Sequence, residues 1–287
     1  MDLASVSPDA LGPGPSAAAS ERVIAAGDIA RCDSQADDQT AALVASMPGT
    51  VIVLGDDAYA NGSAADFADC YGPSWGRLLE RTWAAPGNHD HVTAGAAGYF
   101  DYFGDRAGPK GRGWYSFELG AWHVVSLDSE CALVGGCASA SPQGRWLDDD
   151  LAAHPAACLL AFWHRPRFSS GLHGSDAGLD GPWRSLAAAG ADLVLNGHDH
   201  DYERFDPLAA DGTPDPAGIR EFVVGTGGAS LRPIIRRALG SAFRDATDHG
   251  VLALTLSATG YEWAFLKSPE GTIADRGTGS CQGEDHP

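Results

Sequence analysis

The sequence contains few basic residues and almost no lysine. Its 287 residues include 19 Lys plus Arg against 38 Asp plus Glu, which gives a formal net charge of −19, and lysine occurs only at Lys110 and Lys267. Such an acidic surface repels polyanions. We therefore expect no nucleic-acid partner.

Long apolar runs and a recognisable leader are also missing. No stretch approaches the roughly 18 consecutive apolar residues of a transmembrane helix, so we expect no membrane partner. Residues 1–20 are rich in Ala, Ser, Pro and Gly and carry no charged segment followed by an apolar one, which predicts a flexible lead-in and not a signal peptide. Residues 21–287 are predicted to form a single domain, because the candidate site residues are spread along most of it. The oligomeric state stays open.

Cys-x-x-Cys pairs are absent, which argues against a zinc ribbon or a redox dithiol. The six cysteines are even in number and fit three disulfides in an exported protein. About fifteen connectivities are possible, and we favour Cys131 with Cys137 across a short flexible loop, Cys32 with Cys70, and Cys158 with Cys281. We predict a secreted or periplasmic protein whose signal sequence is absent from the sequence as given. The alternative is a cytoplasmic enzyme with six buried thiols.

Apolar runs rich in β-branched residues alternate with helical patterns in the first two thirds of the chain. Strands are predicted near residues 22–27, 51–55, 114–119, 121–127, 158–163, 192–196, 220–225, 251–257 and 261–267. Helices are predicted over residues 35–47, 73–81, 143–153 and 180–189. Alternating strands and helices indicate parallel pairing, whereas the strand-rich last third indicates antiparallel hairpins. The fold class is therefore predicted to be α/β, with mixed sheets in a sandwich.

Polar residues with metal-binding side chains follow several of these apolar runs. The five motifs, in chain order, are Gly27-Asp28, Gly55-Asp56-Asp57-Ala58-Tyr59, Gly87-Asn88-His89-Asp90, Ala161-Phe162-Trp163-His164 and Gly197-His198-Asp199-His200. Strand ends of one sheet meet at a common edge, so these Asp, Asn and His side chains are predicted to cluster there. A single such residue would usually cap a helix or satisfy a turn. The ordered set predicts a site for two metal ions.

Asp56 and Tyr59 give this site its character. A carboxylate can bridge two hard cations, and two ions about 3.5–4 Å apart can hold the attacking and leaving oxygens of a phosphoryl displacement. If the chain turns tightly after Asp56, the side chain of Tyr59 can return to the same ion. A phenolate is a hard anionic donor that favours a trivalent ion such as Fe(III).

These motifs closely resemble the purple acid phosphatase branch of the calcineurin-like metallophosphoesterases. The resemblance covers roughly residues 22–230, including Gly225-Thr226-Gly227-Gly228, and the ordered set is far more specific than any single motif. It implies an α/β/β/α sandwich of the metallophosphoesterase type, with the metal site at the carboxyl ends of the strands. It also implies a small phosphorylated substrate.

The resemblance assigns the ligands residue by residue. One metal, Fe(III), would be held by Asp28, Asp56, Tyr59 and His200. The second metal would be Zn, Fe or Mn, and its ligands would be Asp56, Asn88, His164 and His198. Most metallophosphoesterases have a histidine where this chain has Ala30, and Tyr59 would replace that missing ligand.

Three further residues are candidates for catalysis. His89 is not a ligand in this scheme and is the leading general acid, with Asp90 beside it as the group that would fix its tautomer. The resemblance places His173 where the family has a further substrate-contacting histidine; an equally good interpretation is a solvated loop residue.

We interpret the other histidines as loop, structural or surface residues: His91, His123, His154, His249 and His286. Arg165 and Arg167 either steer an anionic substrate or pair with nearby carboxylates.

The predicted function is hydrolysis of phosphate monoesters by a metal-bound hydroxide, with His89 as general acid. The alternative among enzymes is a phosphodiesterase or nucleotide hydrolase that uses the same site. A non-catalytic metal- or phosphate-binding protein would be expected to lack a ligand or the acid, and this chain keeps both. Redox chemistry at the iron is a third possibility, but no motif for an electron-transfer partner supports it.

Overall fold

Two mixed β-sheets pack face to face in the computed structural model, which describes residues 20–283. The predicted lead-in therefore lies outside the described residues except for Ser20, and so does His286. The first sheet has the strand order β13-β12-β11-β1-β2-β3 and the second β10-β8-β9-β7-β6-β5-β4. This arrangement matches the predicted fold class.

The six-stranded sheet combines parallel and antiparallel pairs. Its strands are β1 (Glu21–Ala26), β2 (Thr50–Val53), β3 (Thr82–Ala84), β11 (Gly250–Leu256), β12 (Gly260–Lys267) and β13 (Thr272–Ser280). The strands β1, β2 and β3 run parallel, whereas β11, β12 and β13 form an antiparallel meander that joins β1 through β11. The predicted division between an early parallel and a late antiparallel part is confirmed in this sheet.

The seven-stranded sheet has a parallel centre and antiparallel edges. Its strands are β4 (Tyr115–Leu119), β5 (Trp122–Ser126), β6 (Cys158–Phe162), β7 (Leu193–Asn196), β8 (Tyr202–Phe205), β9 (Arg220–Val224) and β10 (Ser241–Asp245). The strands β5, β6, β7 and β9 are parallel, and hairpin partners flank them. Parallel strands buried on both faces need apolar side chains on both faces, which explains the uninterrupted apolar runs of β6 and β7.

Helices connect the strands and cover the outer faces. The α-helices are α1 (Ala36–Ala45), α2 (Ala64–Asp66), α3 (Ala97–Phe103), α4 (Pro142–Ala153) and α5 (Asp180–Ala188). A π-helical turn spans Phe67–Tyr71, and 3₁₀ segments span Trp75–Arg81, Ala94–Ala96, Gly104–Ala107 and Ala177–Leu179. The helix predicted over 73–81 is thus a 3₁₀ segment. Helix α4 begins as expected, with Ser141 as N-cap and Pro142 in its first turn.

The core divides into a layer between the sheets and a layer behind the second sheet. Between the sheets, the ring of Phe265 stacks on that of Tyr202 with centroids 3.9 Å apart, and Trp263 meets Phe222 edge to face. Behind the second sheet, alternate residues of the strands pack against Leu147 of α4 and against α5. Packing on both faces fixes the register of the parallel strands, and with it the positions of their carboxyl ends.

All three predicted disulfides are present: Cys32–Cys70, Cys131–Cys137 and Cys158–Cys281. The last one fastens the segment after β13 to the start of β6, and the buried carboxylate of Asp192 strengthens the same junction. It accepts the N–H groups of Leu159 and Gln282, each at 2.8 Å.

Among residues 20–283, no helix combines the length and the apolar character needed to cross a bilayer.

Candidate metal centre

The five sequence motifs meet at one edge of the sandwich. Asp28 and Asp56 follow β1 and β2, His164 and His198 follow β6 and β7, and Asn88 follows β3. Hydrogen bonds join the turns across the two sheets: the N–H of His198 donates to Asp28 Oδ2 at 2.7 Å, and that of Gly27 donates to the Val224 carbonyl at 2.9 Å. The carboxyl ends of the parallel strands from both sheets therefore bring these residues together.

Three of the candidate ligands adopt a left-handed backbone that only glycine adopts without strain. The φ angles are 58° at Asp28, 53° at Asp56 and 72° at His198. Within the described residues, Ala96 is the single other non-glycine residue with a positive φ. Such conformations cost about 1–3 kcal/mol each and concentrate at functional sites. The strain indicates that the fold places these three side chains for a purpose other than stability.

The phenol of Tyr59 is surrounded by the candidate ligands of the first metal. Its Oη lies 2.9 Å from Asp28 Oδ1, 3.2 Å from Asp56 Oδ2 and 3.2 Å from His200 Nε2. The other ring nitrogen of His200, Nδ1, is 2.7 Å from the Ser230 carbonyl and donates to it. Its Nε2 is therefore the ring nitrogen that faces the centre.

The candidate ligands of the second metal adjoin the same carboxylate. His164 Nε2 is 3.3 Å from Asp56 Oδ2 and 3.2 Å from His198 Nδ1. The Nδ1–H of His164 donates to the Leu54 carbonyl at 2.8 Å, which leaves Nε2 as the nitrogen that faces inward. The side-chain oxygen of Asn88 is buried and has no hydrogen-bond partner within residues 20–283.

These donors fit a pair of ions. Apart from Asn88, each donor lies 2.9–3.3 Å from another donor of the centre, as expected for atoms roughly 2.0–2.2 Å from a common ion. The unpartnered oxygen of Asn88 is a second sign, because a buried polar atom without a partner is unfavourable unless something binds it. Asp56 adjoins both groups, so the arrangement can hold two ions that share one carboxylate.

The electrostatics of the centre also call for positive charge. Burial, followed by the negative charges of Asp28 and Asp56, raises the pKa of Tyr59 well above its usual value. The phenol is therefore protonated unless a cation compensates, and a strongly charged ion would reverse the effect. Burial is the main reason that the pKa of His198 is lowered to about 3, and the nearby His164 and Arg165 lower it further. This imidazole is therefore neutral and able to bind metal.

His89 lies at the open side of the centre. Its ring sits 4.5 Å from that of Tyr59, its Nε2 is 3.9 Å from Asp56 Oδ2, and its side chain is 37% exposed. The Nδ1 atom is 2.7 Å from the Ala60 carbonyl and donates to it. His89 is therefore accessible to a molecule that binds at the centre, and its Nε2 is the nitrogen available to it.

The predicted role of Asp90 is wrong. The carbonyl of Ala60, and not Asp90, orients the His89 ring. The carboxylate of Asp90 is fully buried and turned away, and its Oδ2 accepts the backbone N–H groups of Asp56 and Gly87 at 2.9 Å and of Asp57 at 3.4 Å. Adjacent residues of a turn point in different directions, which the linear sequence does not reveal. Asp90 joins the loop of the shared ligand to the loop that carries Asn88.

His173 is an exposed loop residue that lies beside the centre. Its ring stacks on that of His198 with centroids 4.3 Å apart, and its Nδ1 is 3.1 Å from the His198 carbonyl. The buried Asp199 holds it there: Oδ1 accepts the His173 N–H at 2.7 Å and lies 3.2 Å from Nδ1, while Oδ2 accepts the Gly174 N–H at 3.0 Å. Burial raises the pKa of Asp199, but hydrogen bonds from His173 and Ser169 lower it to about 2.

Sequence reasoning missed Asp199 and two other buried carboxylates that hold the same loop. Glu203 accepts the N–H of Ser170 at 2.7 Å, and Glu221 accepts those of Arg167 and Phe168 at 2.9 and 3.1 Å. A signal was present for Asp199, which stands between two candidate ligands. Glu203 in β8 and Glu221 in β9 each stand beside an arginine in the sequence, Arg204 and Arg220, so nothing in the sequence indicated that they are buried.

The two arginines that follow His164 pair with carboxylates. Arg167 Nη2 lies 3.0 Å from Asp180. Arg165 Nε lies 2.5 Å from Glu130, and its Nη1 lies 3.1 Å from His198 Nε2 at the rim of the centre. Of the remaining histidines, His91 is held by Asp128 at 2.8 Å. His123 and His154 lie elsewhere and contact each other.

Comparisons with known proteins find similarity to phosphatases. Residues 21–202 match the family model described as calcineurin-like phosphoesterase. The chain is 28% identical over 238 residues to purple acid phosphatase 15 of Arabidopsis thaliana, which covers 70% of this chain and 44% of that protein. It is 25% identical over 233 residues to an acid phosphatase of Aspergillus ficuum, which covers 60% and 38%. The chain thus spans less than half the length of these two relatives.

A solved structure shows the same fold. The purple acid phosphatase PPD1 from yellow lupin (Lupinus luteus) seeds superposes with a TM-score of 0.79 at 20% sequence identity, covering 93% of this chain and 55% of that one. At this identity the likeness concerns the fold alone. This superposition agrees with the architecture described above, in which two mixed sheets pack face to face.

Proposed function

This chain belongs to the calcineurin-like phosphoesterase family, and from that premise we propose that it hydrolyses phosphate monoesters at a centre of two metal ions. The observation that supports the proposal most directly is the position of Asp56. Its Oδ2 lies 3.2 Å from Tyr59 Oη and 3.3 Å from His164 Nε2, so one oxygen adjoins both groups of donors. Two bound ions would supply neutralisation of the phosphate charge and activation of a water molecule.

The donor types favour particular metals. Asp28, Asp56, Tyr59 and His200 give three oxygens and one nitrogen, and a phenolate oxygen suits Fe(III). The second set has two imidazoles, the Asn88 amide oxygen and the shared carboxylate, and Zn, Fe or Mn fits it. The buried, acidic surroundings of Tyr59 support a trivalent ion there, since the phenol must lose its proton against two carboxylates.

We assign the general acid to His89. Its Nδ1–H is donated to the Ala60 carbonyl, so a proton on Nε2 is the one that can be passed to a departing oxygen. The partly exposed ring can reach an ester bound over Asp56, from which Nε2 is 3.9 Å away. His173, stacked on His198, would contact the phosphate oxygens or share the acid role.

Charge and covalent structure support the proposed substrate class and cellular location. A net charge of −19 disfavours nucleic acid and leaves a small phosphorylated molecule as the partner. The three disulfides support a secreted or periplasmic location, because such bonds persist in oxidising compartments.

Elemental analysis of protein purified without chelator, combined with a visible spectrum, tests the metal assignment. We expect two metal ions per chain and a colour from the phenolate on ferric iron, which Tyr59→Phe should abolish. Two metals without colour would reject iron and leave the hydrolase proposal intact. A carefully purified protein that is metal-free and still hydrolytic would reject the centre itself.

Substrate comparison tests the reaction. A simple phosphomonoester and the corresponding bis-ester, offered at equal concentration, should differ in kcat/KM in favour of the monoester. Preference for the bis-ester would assign the chain as a phosphodiesterase. Turnover of neither, with both metals bound, would indicate a non-catalytic binding protein.

A further inference from the structure

A second cluster of histidines and carboxylates lies away from the metal centre. His123 is near the amino end of β5, whereas the metal centre is at the carboxyl ends of the strands. Asp150 and His154 come from the last turn and the C-cap of helix α4, and Glu118 comes from β4 at the edge of the seven-stranded sheet. The cluster thus joins the edge hairpin to the end of the helix that covers this sheet.

The contacts in this cluster are short and specific. His123 is 1% exposed, and both of its ring nitrogens face carboxylates: Nδ1 is 2.7 Å from Glu118 Oε1 and Nε2 is 2.8 Å from Asp150 Oδ2. The other oxygen of Asp150 accepts the hydroxyl of Ser116 at 2.7 Å and lies 3.4 Å from His154 Nδ1. The two imidazole rings stack with centroids 5.0 Å apart.

We propose that His123, Asp150 and His154 form an additional binding site for a transition-metal dication, best suited to Zn²⁺. One donor atom from each residue lies within 4.8 Å of the others. Two imidazole nitrogens and a carboxylate oxygen are a zinc donor set, with the remaining position left to water on the exposed side. Ca²⁺ and Mg²⁺ prefer oxygen ligands, so a site with two imidazoles does not suit them.

Glu118 supplies the support that metal-binding histidines usually have. A histidine ligand generally donates its second ring N–H to a carboxylate or carbonyl, which fixes the tautomer and the ring orientation. Glu118 accepts from Nδ1 of His123 and so directs Nε2 towards Asp150. Binding replaces a proton: an Nε2–H that now contacts Asp150 Oδ2 is released to solvent as the metal takes its place.

Charge favours a dication over this proton. The carboxylates of Glu118 and Asp150 bring two negative charges to one imidazole; a divalent ion balances both charges, whereas the extra proton on His123 balances one. The alternative is a cluster that keeps this proton, with His123 donating to both carboxylates, and binds no metal. That alternative predicts no zinc uptake at this place, so the two can be told apart.

The site would act on stability and not on the phosphatase reaction. The exposed side of His154, whose side chain is 50% exposed, gives the ion access, while the nearly buried His123 and Asp150 anchor it to the sheet and the helix. An ion bound there would fasten the edge hairpin to α4. The proposal does not depend on the function of the main centre.

Zinc titration of the holoprotein by calorimetry tests the proposal. With the main centre already loaded, we expect uptake of one further equivalent, and Asp56→Asn should retain this equivalent even where the main centre is lost. His154→Ala should weaken it at least tenfold, and Glu118→Gln by about 10- to 100-fold. Asp149→Ala removes a charge from an exposed position of the same helix and should change nothing.

Two results would overturn the proposal. One is a holoprotein that takes up no further zinc, which would leave the cluster as a proton-held ion cluster. The other is a His154→Ala variant that still takes up the further equivalent of zinc with unchanged affinity. Because His154 is on the surface, this variant should fold even if substitution of the nearly buried Asp150 does not.

Discussion

Replacement of Asp90 tests whether one buried carboxylate holds the two central loops of the site together. Its Oδ2 accepts the N–H groups of Asp56 and Gly87 at 2.9 Å and that of Asp57 at 3.4 Å. In Asp90→Ala these donors stay buried without an acceptor, and each well-formed bond lost costs about 1–3 kcal/mol. For the two short bonds this amounts to roughly 2–6 kcal/mol.

A second effect opposes this loss. Burial and the nearby charge of Asp56 raise the pKa of Asp90 to about 7, so the native carboxylate is held at some cost that its removal relieves. We therefore expect the lower half of the range, about 2–4 kcal/mol, for Asp90→Ala. Asp90→Asn keeps an acceptor oxygen and the shape of the side chain, and should lose about 1–2 kcal/mol.

Urea unfolding at equilibrium measures these losses, and metal content and kcat should be recorded on the same samples. Because the backbone of the shared ligand Asp56 is released, Asp90→Ala should lose metal together with stability. Asp69→Ala, an exposed aspartate, is the matched control. If Asp90→Ala had the stability and metal content of the wild type and lost only kcat, the carboxylate would act on His89 and the positioning role would be refuted.

Three further substitutions probe the site and the scaffold. His89→Ala should keep both metals and lower kcat for esters of poor leaving groups by about 10²–10⁴; full activity on an alkyl phosphate would reject the acid assignment. Asp199→Asn should lower kcat by about 10- to 100-fold in the wild type but add almost nothing in a His173→Ala background, because it acts through His173; additive losses would contradict this. Burial raises the pKa of Asp192 to about 6, so its proton binds the native state more tightly than the unfolded one. Its contribution to the free energy of unfolding should therefore fall by about 3 kcal/mol as pH rises from about 4 to about 6. A pH-dependent difference from Asp192→Asn in urea melts across that window checks the sign, and a constant difference would contradict it.

The strands that carry the candidate ligands could be predicted from sequence because both of their faces are buried. Runs such as Val51–Val53 in β2 and Leu193–Leu195 in β7 are apolar throughout, and the polar residues that follow them mark their ends. Four strands lack such a run and were not predicted. The strand β3 has only three residues, and β8, β10 and β13 each contain charged residues within a short or Gly-containing segment.

The candidate ligands were predictable because each lies within a few residues of a strand end, whereas side-chain partners within the loops were not. The structure brings Asp28, Asp56, Tyr59 and His200 into contact, and their binding of metal stays a prediction. Asp90 was assigned to its sequence neighbour His89, but its carboxylate instead accepts backbone N–H groups of the turn after β2 and of Gly87 in its own turn. Which group a loop carboxylate contacts depends on the direction in which the turn points that side chain. Composition and spacing do not give this direction.

The central position of β1 has a consequence for how the molecule assembles. One neighbour, β2, follows soon in the chain, but the other, β11, begins only at Gly250. Pairing between segments so far apart is slow and has to await synthesis of the later one. The turn at Asp28 is thus flanked on both sides only after β11 has been synthesised, and a nascent polypeptide that lacks β11 is not expected to capture ions with the full set of donors.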